Sequence, residues 1–380
     1  LVLSKPMSLL ISKITNLVTG TQNAVMLVSF TTMIVSFFNW GLGLIFGAIL
    51  ARKIGEHAQR NNIKINYPLV GAAGYVGLMI WHGGLSGSAP LKVAEAGHLN
   101  ELMKGVSDAS VLNQLPEIVS TYSTIFSWWN LIMFGILLVV IPLCLRILAK
   151  NVDTTSLILP EYKYESDNQK ELEGAEKLDY SQWFAIFFGI ITLVGFTFQY
   201  WSKLLNFVIT PNMLNFFMIG LAILLHGSFK SFLNAVEEAI KGTSGILIQF
   251  PLYFGIMGIM KSTGMVNQIS DFFVSIANET TMPIFTFFSA GLVNIFVPSG
   301  GGQWAVQGPI VIESALKLGI PLPKAIMALA YGDQITNMLQ PFWALPLLGI
   351  TKLKAKEILP YTLLLMLVGS VIYIAGLLLF

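Results

Sequence analysis

The chain has 380 residues, of which 54% are hydrophobic and 11% are charged, and its mean hydropathy is +0.71. Charged residues make up about 25% of a typical soluble domain, so this composition excludes an ordinary soluble fold and indicates a membrane protein. The net charge of +2 gives no reason to expect a nucleic-acid partner, and the single cysteine, Cys144, excludes an internal disulfide framework.

Apolar runs and short breaks alternate along the first half of the chain. We predict an amphipathic surface segment at 4–20, apolar arms at 23–38 and 44–50, a helix at 67–81 and a membrane span at 125–148. The two arms are separated by Asn-Trp-Gly-Leu-Gly at 39–43. A second stretch, 82–90, holds three glycines and a proline and cannot continue as regular helix.

The longest charged stretch, 151–180, is the predicted boundary between the two halves. We predict a first repeat at 1–150, a cytoplasmic charged linker at 151–180 and a second repeat at 181–380. In the second half we predict apolar helices at 183–201, 213–226, 245–260 and 359–380, an amphipathic interfacial helix at 230–241, hairpin arms at 285–297 and 304–316, and a helix at 324–350 that breaks at 336–341.

The stretch from Pro298 to Gln303 is unusual inside an apolar run because it holds three consecutive glycines. Proline lacks a backbone donor, and a glycine within a helix costs about 1 kcal/mol relative to alanine. The flanking arms are shorter than the roughly 20 residues that a membrane crossing needs. We therefore predict a re-entrant hairpin with its tip at 299–303, where glycine N–H groups can hold an anion without a fixed charge.

The two halves carry the same order of features, namely an apolar arm, a glycine-rich tip, a second arm and a helix that breaks. Sliding 21–91 onto 280–347 aligns several glycines and prolines, as an internal repeat would. If Lys5 and Lys13 are cytoplasmic and each hairpin returns to its own side, most Lys and Arg residues fall on the cytoplasmic side, which agrees with the positive-inside rule. The hairpins then enter from opposite sides, so the repeats are inverted.

Interrupted segments in corresponding positions of two halves mark the binding site of a secondary transporter. The candidate substrate-binding residues are Ser299, Gly300, Gly301, Gly302, Gln303 and Trp304 at the second tip, Asn39, Trp40, Gly41 and Gly43 at the first tip, and Ser86, Ser88, Asn337 and Gln340 at the two helix breaks. The alternative interpretations are structural turns at the tips, local capping at the breaks and ordinary packing for Trp304.

Asp333 is the candidate for the coupling ion, because an acid at bilayer depth is costly. Its alternative interpretation is a hydrogen-bonded structural carboxyl. His82 and His226 are interpreted as packed residues, and we expect neither a metal nor a cofactor. The nearby sequence shows no further acid that would complete a cation cage, so we expect Asp333 to carry a proton rather than sodium.

Six short motifs are recognisable along the chain. They are Asn-Trp-Gly-x-Gly at 39–43, Gly-Gly-x-Ser-Gly-Ser-x-Pro at 83–90, Phe-Val-Pro-Ser-Gly-Gly-Gly-x-Trp at 296–304, Gln-Gly-Pro at 307–309, Ala-Tyr-Gly at 330–332 and Gln-Pro-Phe-Trp-Ala-Leu-Pro at 340–346. Together they resemble the bacterial short-chain fatty acid transporter family of the butyrate and acetoacetate type, over nearly the whole chain. Members of that family carry further spans before the first hairpin, so we expect the first repeat to be incomplete.

The resemblance implies an all-α polytopic membrane protein with inverted repeats, two opposed re-entrant hairpins and interrupted helices, similar to elevator-type ion transporters. It implies a secondary active transporter and not an enzyme. Its expected cargo is a small monocarboxylate such as butyrate or acetoacetate, carried by symport with a proton or sodium. Its expected location is the bacterial inner membrane, as a multi-pass protein in the lipid bilayer, and a homo-oligomer is an open alternative to a monomer.

Two rival functions remain open at this point. An intramembrane serine protease would use the Gly84-Leu85-Ser86-Gly87 motif with His82 nearby, although a catalytic base is expected on a facing helix. An anion channel would need a continuous pore, which two opposed dead-end hairpins do not favour.

Overall fold

The computed structural model is almost entirely helical in the residues that it describes, with an isolated β-bridge between Ile65 and Thr155. The described residues are 1–104, 112–155, 159, 174, 176–205, 208–241, 244–265, 268, 272 and 275–380. Within these ranges five helices are long and apolar enough to cross a membrane. This is the architecture expected of a polytopic membrane protein.

The helices described in the first half match the predicted order. They are α1 (Lys5–Thr15), α2 (Thr21–Phe38), α3 (Trp40–Arg60), α4 (Tyr67–Tyr75), α5 (Ser88–Lys92), α6 (His98–Met103) and α7 (Trp128–Leu148). In the second half the described helices are α8 (Glu176–Tyr180), α9 (Gln182–Leu205), α10 (Pro211–His226), α11 (Phe229–Lys241), α12 (Ser244–Ser262), α13 (Met282–Phe296), α14 (Gly300–Lys317), α15 (Leu322–Thr336), α16 (Pro341–Thr351) and α17 (Ala355–Leu379).

The first hairpin, α2 and α3, turns at the single residue Asn39, whose backbone is extended. The predicted break at 39–43 is therefore too long, since α3 already begins at Trp40. The second arm is also longer than predicted and continues ten residues beyond Leu50 to Arg60. Arg52 is 3% exposed and its Nε donates to Glu56 at 2.9 Å, so the charged segment is packed as helix and not as a surface loop.

The second hairpin, α13 and α14, turns at 297–299. The predicted tip at 299–303 is wrong, because Gly300, Gly301 and Gly302 form the first turn of α14. The N–H groups of a first helical turn have no acceptor within the helix. One of them, the N–H of Gly302, donates to Ser299 Oγ, with 3.3 Å between nitrogen and oxygen. The glycines thus occupy a capped helix start and not an irregular loop.

Two helices are interrupted between their ends. After α4 the chain makes the 3₁₀ turns Val76–Met79 and Trp81–Gly83 before α5 begins, so this break starts six residues earlier than the predicted 82–90. The break predicted at 336–341 is confirmed, because α15 ends at Thr336, a 3₁₀ turn covers Asn337–Leu339 and α16 begins at Pro341.

The two halves of the sequence pack into one central body, defined here as α2–α7 together with α13–α17. In this body α16 packs on α3, α17 packs on α4 and α7, and α13 lies along α15. The approach of α13 and α15 is close at Gly332, where a Cβ would lie 2.1 Å from the carbonyl oxygen of Phe287. One hydrophobic core therefore includes residues from both halves.

Helices α9, α10 and α11 lie at the periphery of the central body. α9 packs on α10 and leaves large apolar side chains exposed, such as Trp183 at 82% and Phe198 at 83%. α10 and α11 meet at an angle of 119° beside Gly227, which has a φ of +72°. The helix predicted at 230–241 is thus present as α11. Most of the predicted linker at 151–180 lies outside the described residues.

Candidate functional site

Both hairpins and both interrupted helices meet at one place in the central body, which we call the junction and define by Trp40, Trp81, His82, Gly300 and Asp333. The His82 ring contacts the Asp333 carboxylate, and the two side chains are 0% and 1% exposed. A Cβ on Gly300 would lie 2.8 Å from His82 Cε1 and 2.9 Å from Trp81 Cη2. Residues about 250 positions apart in the chain therefore surround the start of α14.

Tryptophan rings form one side of the junction. The ring centroid of Trp40 lies 6.2 Å from that of Trp81 and 5.0 Å from that of Trp343, and Trp81 stacks on His82 at 4.6 Å. Trp81 Nε1 is a buried donor without a partner among the described residues. The start of α3 is fixed at this place because Asn39 Oδ1 accepts from Leu42 N at 2.9 Å and Ser86 Oγ accepts from Trp40 N at 2.9 Å.

The hydrogen bonds of His82 determine where its proton lies. Ala89 N donates to His82 Nε2 at 2.9 Å, so Nε2 carries the lone pair and Nδ1 carries the hydrogen. Nδ1 therefore donates to Asp333 Oδ2. Asp333 Oδ1, in contrast, is buried and has no partner in the described part of the chain. The interpretation of His82 as only a packed residue is incomplete, because it joins the two interrupted helices.

A network of hydrogen-bonded polar side chains holds the backbone of His82 and Gly83, and it was not predicted from the sequence. Gln334 Oε1 accepts from His82 N at 2.7 Å and Gly83 N at 3.0 Å, while its Nε2 donates to Tyr373 Oη at 2.8 Å. Asn130 Nδ2 donates to Gly83 O at 2.9 Å, and its Oδ1 accepts from Tyr331 Oη at 2.7 Å. Polar residues inside otherwise apolar helices were the available signal.

The second break is held by Asn294 of α13, which was also missed. Its Nδ2 donates to Asp333 O at 2.7 Å, Thr336 Oγ1 at 2.9 Å and Asn337 Oδ1 at 3.0 Å. Gln340 Nε2 donates to Asn294 O. The NH₂ groups of both amides are therefore engaged as donors. Their oxygens, Asn294 Oδ1 and Gln340 Oε1, are buried and have no partner among the described residues. Of the predicted break residues, Asn337 is thus engaged in structure, whereas Gln340 keeps a free acceptor.

The remaining predicted residues divide into two groups. Near the junction, Ser88 Oγ lies 3.8 Å from the position that a Cβ on Gly301 would take, and Gln303 Nε2 donates to Ala290 O at 2.8 Å and Gln307 Oε1 at 2.7 Å. Elsewhere, Trp304 Nε1 donates to His98 Nε2 at 3.0 Å in a separate hydrophobic cluster.

Two predicted glycines of the first hairpin lie in the body of α3. Gly41 is beside Asn39, and Gly43 faces Ser36 of α2, where a Cβ would lie 1.9 Å from Ser36 Oγ. Gly43 is therefore where the two arms of the hairpin come close together. Trp343, rather than Trp304, lies beside Trp40 at the junction.

The junction is closely packed around the start of α14, where a Cβ on Gly300 would overlap the rings of His82 and Trp81. A small cavity next to the junction, bordered by Gly83, Asn130 and Gln334, leaves about 10 Å³ open to the centre of a water molecule. This is room for about one water. In the part of the chain that the structure describes, no group of three or more His, Cys, Asp or Glu side chains is arranged to hold a metal. The hydrogen bonds of His82 are made with Gln334, Asp333 and Ala89, so neutral groups and one carboxylate surround its ring and backbone N–H.

Comparisons with known proteins give a single family. A model described as "Short chain fatty acid transporter" matches residues 1–380. Two proteins that both carry the name "Putative short-chain fatty acid transporter" are similar to this chain. The one from Escherichia coli (strain K12) is 37% identical over 361 residues, which is 94% of this chain and 78% of that protein. The one from Haemophilus influenzae (strain ATCC 51907 / DSM 11121 / KW20 / Rd) is 35% identical over 375 residues, or 97% and 81%.

No solved structure is significantly similar to the chain. The family match spans the whole sequence, and the described helices agree with a multi-pass membrane protein. The motifs at 39–43, 83–90, 296–304 and 340–346, on which the resemblance was based, all contribute residues to the junction or its immediate surroundings. The chain belongs to the short-chain fatty acid transporter family.

Proposed function

We propose that this protein is a secondary active transporter that carries a short-chain monocarboxylate, such as butyrate or acetoacetate, together with a cation across the bacterial inner membrane. The observation that carries the proposal is the junction itself. Two hairpins and two interrupted helices from opposite halves of the sequence meet at a buried polar centre, which is the arrangement that secondary transporters use for binding.

The start of α14 is the proposed site of the substrate carboxylate. Ser299 Oγ accepts a hydrogen bond from Gly302 N. The N–H groups of Gly300 and Gly301 also belong to the first turn of α14, where the partial positive charge of the helix start favours an anion. The Trp81 ring lies beside Gly300, with Cη2 2.9 Å from the position of a Cβ, and its Nε1–H, which has no partner among the described residues, is a further candidate donor. The rings of Trp40, Trp81 and Trp343 offer an apolar wall of the size that a short alkyl chain needs.

Asp333 is the proposed coupling residue. An anion that enters against an inside-negative potential is opposed by about 2.3 kcal/mol per 100 mV, so inward transport needs at least one accompanying cation. Asp333 is buried at the junction and belongs to the helix that breaks at Asn337. Its position supports a role in which binding of the cation and of the monocarboxylate depend on one another.

The inverted repeat and the elevator movement are part of the proposal. The central body joins elements of both halves through one hydrophobic core, whereas α9–α11 pack mainly on one another. A body that carries the junction and moves as a unit past a peripheral scaffold would expose the site to one side at a time. Under this proposal, residues 1–150 belong to the first repeat and residues 181–380 form the second.

The rival functions receive less support. Ser86 Oγ accepts from Trp40 N, and both ring nitrogens of His82 are engaged, with Asp333 and with Ala89 N, so His82 is not placed to activate Ser86 as a nucleophile. An anion channel would need an open path, whereas a Cβ on Gly300 would already lie 2.8 Å from the His82 ring and 2.9 Å from the Trp81 ring, so the start of α14 is closed in this structure.

The test is uptake of labelled butyrate into vesicles that contain the purified protein. Sodium and proton gradients are imposed separately, and protein-free vesicles correct for passive entry of the neutral acid. We expect accumulation above the equilibrium level on at least one gradient, and competition by unlabelled acetoacetate. Equilibration without accumulation on either gradient, or unitary currents in a bilayer recording, would contradict a coupled transporter.

A further inference from the structure

Four buried oxygen atoms near the junction have no hydrogen-bond partner among the described residues. They are Asp333 Oδ1, Asn294 Oδ1, Gln303 Oε1 and Gln340 Oε1. The four side chains are between 0% and 5% exposed, so bulk water does not satisfy these acceptors. A buried polar atom without a partner costs on the order of 1–3 kcal/mol, and four such acceptors on neighbouring elements call for a hydrogen-bond donor or a cation.

The orientation of the three amides is fixed by what their NH₂ groups bind. Asn294 Nδ2 donates to Asp333 O, Gln303 Nε2 donates to Ala290 O, and Gln340 Nε2 donates to Asn294 O. Because carbonyl oxygens occupy those positions, turning an amide over would place two acceptors face to face. The oxygens must therefore point away from these carbonyls, and the free acceptors are a consequence of the packing.

The four side chains are tied to the same turns of α13. Gln303 is bonded to Ala290, one helical turn before Asn294. Asn294 in turn binds the backbone of Asp333, and Gln340 binds the backbone of Asn294. The free oxygens therefore come from the start of α14, from α13, from α15 and from the residue just before α16, that is, from both arms of the second hairpin and from both sides of the second break.

The site holds one carboxylate, that of Asp333, and the bond from His82 leaves its Oδ1 available. With Nε2 of His82 accepting from Ala89 N, the neutral imidazole donates from Nδ1 to Asp333 Oδ2, which requires an unprotonated oxygen there. A proton added at Asp333 Oδ1 would neutralise the carboxylate but could donate to only one acceptor, which leaves at least two amide oxygens unsatisfied. A single metal cation accepts several oxygen ligands at once, and oxygen-only ligands are those of hard cations.

We propose that Asp333, Asn294, Gln303 and Gln340 bind a sodium ion, which makes sodium and not a proton the coupling ion. The single carboxylate matches a monovalent cation, since a divalent one would leave a buried excess charge. Inward symport needs an inwardly directed gradient, which in bacteria sodium supplies and potassium does not. His82 orients the carboxylate by holding Oδ2 and so leaves Oδ1 for the ion. The inference rests on the proposed transport function for its role, and the proton expected from the sequence is replaced.

Sodium binding is tested on the purified full chain without substrate. The midpoint of thermal unfolding is followed while NaCl replaces choline chloride at constant ionic strength, with KCl as the ion control. We expect a saturable rise with sodium, since a ligand that binds only the folded state stabilises it, and no comparable rise with potassium. Asp333→Asn and Gln303→Met should each weaken the apparent sodium affinity at least about tenfold.

Asn130→Leu is the matched control, because Asn130 is a buried amide near the junction whose oxygen already has a partner in Tyr331. Sodium should raise the unfolding midpoint of this variant by as much as it raises that of the parent, even if the variant unfolds at a lower temperature without sodium. Absence of a sodium-specific rise in the parent, or a full rise in Asp333→Asn, overturns the site. If one of the three variants does not fold, the remaining two, together with the comparison of sodium and potassium in the parent, still test the site.

Transport separates this inference from the proposed function. Uptake of butyrate on a proton gradient in sodium-free vesicles, with no sodium-specific rise in the unfolding midpoint, would overturn the sodium site and leave the transporter standing. A sodium-specific rise that Asp333→Asn abolishes, with no uptake of any short-chain monocarboxylate, would support the site and contradict the function.

Discussion

His82 and Asp333 lie on different interrupted helices, one in each half of the chain. The contact between these two side chains therefore links the two halves. A carboxylate in such a place is both a structural partner and a source of negative charge inside the central body. Replacing it by an amide of the same shape keeps the volume and removes the charge, which separates the two roles. This makes Asp333 the residue at which coupling is best tested.

Asp333→Asn should retain exchange of labelled for unlabelled butyrate between loaded vesicles, because exchange needs only the substrate site. It should lose accumulation driven by an ion gradient, because no charge is left to hold the cation. Asn130→Leu serves as the control for disturbance of a buried amide. If the Asn variant still concentrates butyrate on a gradient, Asp333 is a structural carboxyl and the coupling residue lies elsewhere.

Gly300 is the residue at which backbone geometry most directly limits substitution. A methyl group would lie 2.8 Å from the His82 ring and 2.9 Å from the Trp81 ring, and neither ring is free to move since both are buried. Gly300→Ala should therefore abolish measurable butyrate binding in calorimetric titration. Gly135→Ala, on α7 where a Cβ meets nothing within 4 Å, is the matched control and should bind normally. Equal binding by both variants would place the substrate away from α14.

Among the elements, α6 and α14 are joined by a bond that is sensitive to acid. His98 Nε2 accepts from Trp304 Nε1, so it must be unprotonated there. Burial, and secondly the charge of Lys92, lower the pKa of His98 below its ordinary value of 6.5, against smaller opposing effects of Glu95 and Glu101. The folded state thus binds fewer protons at His98 than the unfolded chain does.

Stability from this bond should be complete above pH 6.5 and should fall as the pH drops through the lowered pKa of His98. His98→Gln offers Trp304 an acceptor that does not titrate. We expect the unfolding midpoint of this variant to depend less on pH between about 6.5 and 4.5 than that of the parent. Parallel pH curves for the two proteins would show that His98 contributes nothing to acid sensitivity.

The elements could be predicted from sequence where a local cause fixes them. Asn39 and Pro298 end apolar runs, and both hairpins turn at or next to them. The extension of α3 to Arg60 could not be predicted, because it depends on Arg52 being buried beside Glu56. The partners of Asn294 and Gln334 could not be predicted either, since residues far apart in the sequence bring them together. The sequence indicated the two turns and the two helix breaks, but not the hydrogen bonds that join them.

For the whole molecule, the arrangement of the hairpins across the membrane is the main prediction. Lys64 and Lys104 are exposed and lie on either side of the first interrupted helix, α4–α5. In a Cys144→Ser background, an impermeant thiol reagent added outside intact cells should label Lys104→Cys and not Lys64→Cys. After the cells are opened, both positions should be labelled. Labelling of Lys64→Cys in intact cells would contradict the cytoplasmic placement of the first hairpin's ends, on which the inverted arrangement rests.

The closed packing at the junction also limits how fast the protein can work. At the start of α14 a methyl group on Gly300 would already lie 2.8 Å from the His82 ring, so a fatty acid can enter only after helices separate. Collective helix movements take microseconds to milliseconds, so each turnover waits for at least one such event. The maximum rate is then on the order of 10³ to 10⁶ molecules per second, however high the concentration of fatty acid outside. Abundance of the protein in the membrane, more than affinity, would then set how quickly a cell takes up a plentiful carbon source.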